Sequence, residues 1–280
     1  MPLAPITEIL AEAARAGAAA GAFNMHTPES AQGIVRAAAA LGRPVILQVN
    51  EGTVRHYGAR LAAAIALAAA AEAEIPVAVH LDHGAREETV LACLEAGFNS
   101  VMIDGSKLPL AENIALTRRV AAAAASRGAA VEAELGRIAG AEEDLRVAEA
   151  EAGLTDPDEA AAFVAATGAG SLAVAVGTAH GFYKGEPRLD YARLEAIRRR
   201  VSVPLVLHGA SGLTDEQLKS LVKAGARKVN FSTELKLALA GAMRASFAAG
   251  PDEIDPRKLL APVREAVAAV VRAKLEVLWP

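Results

Sequence analysis

Cysteine is nearly absent from this sequence of 280 residues, in which Cys93 is the only one. No disulfide can form within the protein and no cysteine cluster can bind a metal, which indicates a reducing compartment. An excess of positive charge is also missing, because 33 acidic residues against 29 basic ones give a formal net charge of −4. This balance argues against a nucleic-acid-binding surface.

Long apolar runs are missing as well. The longest uncharged one, LAAAIALAAAA at 61–71, is about half as long as the ~20 residues that a membrane-spanning helix needs. The alanine-rich N-terminus is interrupted by Glu8, Glu12 and Arg15, so it lacks the form of a signal peptide. We therefore expect a cytoplasmic protein with no membrane partner.

The sequence instead contains a regular alternation of short β-branched runs and longer alanine-rich segments. The predicted strands are 21–24, 44–49, 76–82, 100–104, 129–135, 171–177, 204–209 and 227–232. The predicted helices lie near 28–41, 57–73, 86–96, 110–126, 157–167, 190–200, 214–224 and 233–248. Strand–helix alternation repeated eight times predicts a parallel α/β sheet that closes into a (β/α)8 TIM barrel. A doubly wound open sheet is the alternative, but the glycine fingerprint that usually follows its first strand is absent from AFNMHTPES at 22–30.

No segment rich in proline, glycine or serine divides the sequence, so we expect a single domain over residues 1–280. The acidic segment 139–159 lacks hydrophobic periodicity and is predicted to be a long loop after the fifth strand. Two interpretations of this loop stay open, an active-site lid or a solvated insertion.

Polar and titratable residues collect at the predicted strand ends, where barrels of this kind carry their chemistry. They are Asn24, Asp82, His83, Asp104, Glu132, Glu134, His180 and His208. Three imidazoles with an open position make a catalytic zinc site, which makes His83, His180 and His208 candidate ligands. We expect His56 on a helix surface and His80 in a core network.

Two glycine-bearing or hydroxyl-bearing segments follow the last two predicted strands, HGASG at 208–212 and NFST at 230–233. Barrels commonly build a phosphate site at this position from backbone N–H groups and a helix N-terminus. Ordinary tight turns with helix caps are the alternative interpretation. Because the two segments are adjacent and lie beside a candidate histidine ligand, we favour a phosphate site.

Six ordered motifs together resemble the class II, zinc-dependent ketose-bisphosphate aldolases, and the closest branch is similar to the tagatose-bisphosphate type. The resemblance covers residues 1–275. The motifs are HLDH (80–83), SVMIDGS (100–106), VEAELG (131–136), AVGTAHG (175–181), LVLHGASG (205–212) and KVNFST (228–233).

The resemblance implies a role for each matching residue. It implies Zn2+ on His83, His180 and His208, with Asp104 and Glu134 at an alternative metal position. It makes Asp82 the acid/base at the substrate hydroxyl. It makes Glu142, in the loop, the residue that moves the proton at the enediolate carbon. Glu143 is the alternative to Glu142, because the loop lacks the family's glycine pair. The implied substrate contacts are Asn24, Gly181, Gly209, Ala210, Ser211, Asn230, Phe231, Ser232 and Thr233.

The implied reaction is reversible cleavage of a ketose 1,6-bisphosphate to dihydroxyacetone phosphate and glyceraldehyde 3-phosphate. We expect a homodimer or homotetramer that acts on a small phosphorylated sugar, cleaving both the tagatose and the fructose bisphosphate with tagatose preferred. A 6-phospho-5-dehydro-2-deoxygluconate type of substrate stays open. The sequence departs from the family pattern at Asn50, Phe231 and Ser232.

Three other functions are weighed against this one. A Schiff-base aldolase needs a lysine at a strand end, but Lys184 lies in a loop and Lys228 at the wrong end of the eighth strand. A zinc hydrolase would not need the phosphate site. A sugar-phosphate-binding protein that has lost catalysis would not be expected to keep Asp82 together with all three histidines.

Overall fold

The computed structural model describes residues 3–142, 145–148, 152–183 and 185–279. Its strands are β1 (Ala20–Asn24), β2 (Val45–Asn50), β3 (Val77–Gly84), β4 (Ser100–Ile103), β5 (Ala130–Leu135), β6 (Ala139–Glu142), β7 (Leu145–Val147), β8 (Ser171–Val174), β9 (Ala179–His180), β10 (Leu205–Leu207) and β11 (Ala226–Phe231). Its helices are α1 (Ile6–Arg15), α2 (Pro28–Ala40), α3 (Glu51–Tyr57), α4 (Ala59–Ala71), α5 (Glu87–Ala96), α6 (Leu110–Ala125), α7 (Pro157–Thr167), α8 (Tyr191–Arg200), α9 (Asp215–Ala224), α10 (Thr233–Ala249) and α11 (Pro256–Leu278).

Eight of these strands close into a parallel barrel in the order β1-β11-β10-β8-β5-β4-β3-β2. Every strand of the barrel is almost wholly buried, because side chains fill its interior and helices cover its outside. This burial on both faces explains why the strands read as continuous apolar runs rather than as an alternating pattern. The predicted (β/α)8 barrel is confirmed.

Each predicted strand has a counterpart in the barrel, but three of the described helices were not predicted. The first is α1, which buries Ile6, Ile9, Leu10 and Ala13 on one face. The second is α11, the last helix of the protein, which packs against α2. The third is α3, which Gly58 at φ +78° separates from α4, the counterpart of the helix predicted over 57–73.

Described parts of the acidic segment after the fifth strand form strands, so the prediction of a loop over 139–159 was only partly right. β6 pairs antiparallel with β7, and the other edge of β6 pairs in parallel with β9. Gly140, at φ +105°, lies so close to the backbone of His180 that any Cβ would clash there. The pairing is made by backbone groups, which hydrophobic periodicity does not report.

The described part of the protein holds no helix that combines the length and the apolar character needed to cross a membrane.

Close packing of α2 on α11 predicts opposite effects for two helical glycines. An added Cβ on Gly33 would lie 2.6 Å from the carbonyl oxygen of Arg264, whereas one on exposed Gly241 would meet nothing within 4 Å. We expect Gly33→Ala to destabilise the fold by about 1–3 kcal/mol through overpacking. Gly241→Ala should stabilise α10 by up to about 1 kcal/mol, because alanine is the better helix former. Thermal unfolding midpoints of the two variants measure this contrast, and equal shifts in one direction would contradict the packing described.

Candidate active site

The carboxyl end of β3 carries a break in strand geometry. Successive residues of a strand normally point to opposite faces, yet the side chains of Asp82 and His83 both make contacts across the barrel. The register of β3 against β4 shifts between Leu81 and Gly84, and His83 has φ +49°, the one positive φ of a non-glycine residue among those described. This bulge, at a cost of about 1–3 kcal/mol, turns both side chains into the barrel mouth.

The three candidate histidine ligands converge at this mouth. One ring nitrogen from each of His83, His180 and His208 lies within 4.8 Å of the others, and all three residues are buried. His208 Nδ1 is 2.7 Å from His83 Nε2. Three imidazole nitrogens this close together suit a divalent transition metal, whose bonds to histidine are about 2.0–2.1 Å long. The donor set therefore fits a metal ion.

Carboxylates fix the orientation of two of these rings. His83 Nδ1 lies 3.0 Å from Asp104 Oδ2, and His208 Nε2 lies 2.9 Å from Glu132 Oε1. Because an ionised carboxylate only accepts, each of these nitrogens carries the proton and the other nitrogen of the ring faces the histidine cluster. Burial lowers the pKa of His208, and so does the neighbouring His83.

Below the histidines lies a buried polar floor, defined by His80, Ser100, Glu132 and Lys228. Lys228 Nζ donates to Glu132 Oε2 at 2.8 Å, and both side chains are fully buried. His80 Nδ1 bonds Ser100 Oγ at 2.7 Å, and its Nε2 lies 3.5 Å from Lys228 Nζ. Burial opposes ionisation of Glu132, but the ammonium of Lys228 and the bond to His208 hold the pKa of this carboxyl well below its usual range.

The polar floor was only partly foreseen from the sequence. His80 lies in a core network as predicted, and His56 is exposed on α3. Lys228, which sequence reasoning treated only as a poor Schiff-base candidate, proves to be engaged in an ion pair. The other lysine considered for that role, Lys184, lies outside the described residues.

A second candidate donor set shares His83 with the first. His83, Asp104 and Glu134 also bring their ligand atoms within 4.8 Å of one another. Burial opposes ionisation of Asp104, but the hydrogen bond from His83 and two more from Ser106 keep the pKa of Asp104 well below its usual range. Burial, together with the charge of Asp104, raises the pKa of Glu134 well above its usual value.

Two amide groups bracket the carboxylate of Asp82. Asn24 Nδ2 donates to Asp82 Oδ2 at 2.8 Å, and Asn230 Nδ2 donates to Asp82 Oδ1 at 3.0 Å. All three residues are buried at the ends of β3, β1 and β11. Each carboxylate oxygen thus has one fixed donor and at least one lone pair left, so the carboxylate is oriented and still able to take up a proton. This orienting contact of the two asparagines was not predicted from the sequence.

A small cavity beside the histidines contains most of the predicted substrate contacts. It is lined by His180, Gly181, Gly209, Ser211, Asn230, Ser232 and Thr233. Gly181 and Gly209 have φ values of +82° and +67°, and α10 begins at the cavity wall. Glycine backbone and a helix N-terminus together make a site suited to an anion such as phosphate.

Three predicted contacts, Asn24, Ala210 and Phe231, do not line that cavity. Asn24 instead donates to Asp82. Ala210 is fully buried, and Phe231 is buried in a stack on Phe23 with ring centroids 5.3 Å apart. Neither of these two residues therefore presents a surface to a ligand in this cavity.

The predicted loop carboxylate, Glu142, lies on a strand that pairs with the segment of His180. Glu142 is the last residue of β6, whose Gly140 pairs with His180, so the ribbon that carries it is attached beside the histidine cluster. Glu143 lies outside the described residues.

Comparisons with known proteins agree with this geometry. The family described as "Fructose-bisphosphate aldolase class-II" matches residues 4–279. A fructose-bisphosphate aldolase of Thermus caldophilus is 44% identical over 292 aligned residues, which cover 96% of this protein and 95% of the relative.

Solved structures give the same result. The YdjI aldolase of Escherichia coli K12 superposes with a TM-score of 0.86 and 34% identity, over 99% of this protein and 97% of the other. A putative fructose-1,6-bisphosphate aldolase of Coccidioides immitis gives a TM-score of 0.88 and 31% identity, over 97% and 94%. A match to nearly the whole sequence, on a barrel whose mouth holds a cluster of histidines, settles the assignment. The protein belongs to the class II fructose-bisphosphate aldolase family, a family of metal-dependent aldehyde-lyases.

Proposed function

We propose that this protein catalyses the reversible, zinc-dependent cleavage of fructose 1,6-bisphosphate to dihydroxyacetone phosphate and glyceraldehyde 3-phosphate. The observation that carries the proposal is the meeting of three histidines, one oriented aspartate and a cavity lined by glycines and a helix N-terminus at one barrel mouth. The 44% identical relative is named for the same substrate. The tagatose epimer, which the family resemblance alone favoured, differs only at C4 and is proposed as a second substrate.

His83, His180 and His208 would hold the zinc ion. When bound, zinc supplies a Lewis acid that stabilises negative charge on the oxygens of the three-carbon fragment. The fit rests on the donor set, since neutral imidazoles suit zinc and the carboxylates of Asp104 and Glu132 already fix two of the rings. Asp104 and Glu134, with His83, are proposed as the alternative metal position.

Asp82 is proposed as the acid/base. It would take the proton of the C4 hydroxyl as the C3–C4 bond breaks, and return it in the condensation direction. The amides of Asn24 and Asn230 hold its carboxylate in one orientation, which supports this role because proton transfer requires hydrogen-bond contact with the reacting hydroxyl.

The phosphate of the three-carbon half would lie in the cavity of Gly181, Gly209, Ser211 and Asn230–Thr233. Holding it there would fix the reacting carbons relative to Asp82, so that the substrate binds in the orientation needed for reaction. Glu142 is proposed to carry the proton to and from the carbon of this fragment, since its strand is paired beside His180.

We further propose that the protein is a cytoplasmic homodimer or homotetramer. The free thiol of Cys93, buried and without a disulfide, supports a reducing compartment. The surface of α10 supports self-association. Leu235 is the one fully buried residue of this helix, whereas the apolar side chains of Leu237 and Phe247 are about half exposed, at 49% and 50%, and a second protomer could cover them.

Metal removal tests the proposed reaction. Exhaustive chelation should abolish the release of triose phosphate from fructose 1,6-bisphosphate, and about one equivalent of Zn2+ per protomer should restore it, because the cluster offers one three-histidine site. A coupled triose phosphate assay, with metal content measured on the same samples, follows both quantities. Tagatose 1,6-bisphosphate should also be cleaved, and unphosphorylated fructose should be a poor substrate. Full turnover by a verified metal-free sample would overturn the zinc mechanism.

Substitution of the acid/base separates catalysis from metal binding. Asp82→Ala should lower kcat by about 10²–10⁴-fold, the contribution typical of a positioned acid/base, while zinc occupancy survives. His83→Ala is the matched comparison at the neighbouring position, and it should lose both zinc and activity. The proposed division of roles fails if Asp82→Ala loses its zinc or keeps near-normal kcat.

A further inference from the structure

Two segments that carry site histidines are joined by one hydroxyl group. Tyr183 Oη donates to the carbonyl oxygen of Gly209 at 2.6 Å and accepts from the N–H of Ala179 at 3.1 Å. Ala179 immediately precedes His180, and Gly209 immediately follows His208. The phenol therefore connects the first residue of β9 to the turn after β10.

The ring of Tyr183 supports the same turn at its other end. A Cβ on Gly212 would lie 3.3 Å from Tyr183 Cδ2, so the ring packs directly against that glycine. Tyr183 thus contacts both ends of the turn 209–212, through its hydroxyl at Gly209 and through its ring at Gly212. Ser211 lies between these two contacts and lines the cavity proposed to bind phosphate, called the anion cavity below.

The backbones that Tyr183 bridges pass each other at contact distance. Gly209 adopts φ +67°, and any Cβ at that position would clash with the peptide group of Ala179. So close an approach leaves little room for either segment to move alone. Loss of the bridge would leave the amide of Ala179 and the carbonyl of Gly209 without this hydrogen-bond partner, which would remove the link between the two segments.

A hydroxyl is needed for this contact, since the group must donate to one segment and accept from the other. Burial raises the pKa of Tyr183, so the phenol keeps its proton and can do both at neutral pH. Phenylalanine would keep the ring contact with Gly212 and lose both hydrogen bonds.

We propose that Tyr183 is a positioning residue that fixes the β9 segment relative to the turn 209–212, so that His180, His208 and the anion cavity hold a single arrangement. Tyr183 touches neither metal nor substrate in this role. The inference rests on the proposed function, because it takes zinc and a sugar phosphate as the ligands that these two segments bind.

Tyr183→Phe tests the inference, with Tyr57→Phe as the matched control. The hydroxyl of Tyr57 also donates to a backbone carbonyl, that of His26 at 3.3 Å, but it does not bridge the segments of His180 and His208. The dissociation constant for Zn2+ is measured for the full-length proteins by competition with a chromophoric chelator. We expect Tyr183→Phe to bind zinc about tenfold more weakly, the lower end of the range for residues that orient metal ligands, and Tyr57→Phe to match the unsubstituted protein.

Kinetics supply a second readout. Tyr183→Phe, saturated with zinc, should show a raised KM for fructose 1,6-bisphosphate with kcat less affected, because the phosphate cavity rather than Asp82 is disturbed. The visible spectrum of the Co2+-substituted protein should also change in Tyr183→Phe and not in the control.

Zinc affinity and KM within about twofold of the unsubstituted values in Tyr183→Phe would overturn the proposal, as would equal losses in both variants. Failure of the proposed function is visible separately, since the unsubstituted protein would then bind no zinc or cleave no fructose 1,6-bisphosphate. If zinc binds without cleavage, the affinity comparison still decides the role of Tyr183.

Discussion

The ion pair between Glu132 and Lys228 is the interaction on which the arrangement of the site depends. Both side chains are fully buried inside the barrel, where an unpaired charge would be strongly destabilising. Lys228 engages one carboxylate oxygen of Glu132, and the other accepts from His208 Nε2. The pair therefore keeps Glu132 ionised, and the ionised carboxylate decides which nitrogen of His208 faces the other histidines.

The bulge at His83 supplies the second constraint. A regular strand would send Asp82 and His83 to opposite faces, one into the barrel and the other toward the surrounding helices. With φ +49° at His83 and a register shift in the pairing of β3 with β4, both residues reach the mouth. A proposed proton carrier and a proposed metal ligand are thus adjacent in sequence and in space. Strained backbone conformations of this kind are commonly found at functional sites.

Much of this could be predicted from the sequence, for physical reasons that apply to particular residues. Buried parallel strands consist of β-branched runs, so the eight barrel strands were recognisable. His83, His180 and His208 were identified because they stand at strand ends. Strand alternation carries a further signal: His80 and Asp82, Glu132 and Glu134, and Lys228 and Asn230 are each two residues apart and share a face. That spacing could have placed Lys228 inside the barrel.

Other features depend on contacts between distant segments that no local pattern encodes. The pairing of β6 with β9 is made by backbone groups around Gly140 and His180. The bridge from Tyr183 to Ala179 and Gly209 depends on two loops meeting. Sequence reasoning placed the candidate site residues at the strand ends, whereas the orientation of each group depends on these long-range contacts.

The most direct test of the account is to locate the metal. X-ray data recorded on both sides of the zinc absorption edge, from crystals grown with Zn2+, give an anomalous difference map of the barrel mouth. The account predicts a peak within bonding distance, about 2.0–2.1 Å, of ring nitrogens of His83, His180 and His208. An active protein whose map shows no metal at these three histidines would contradict it.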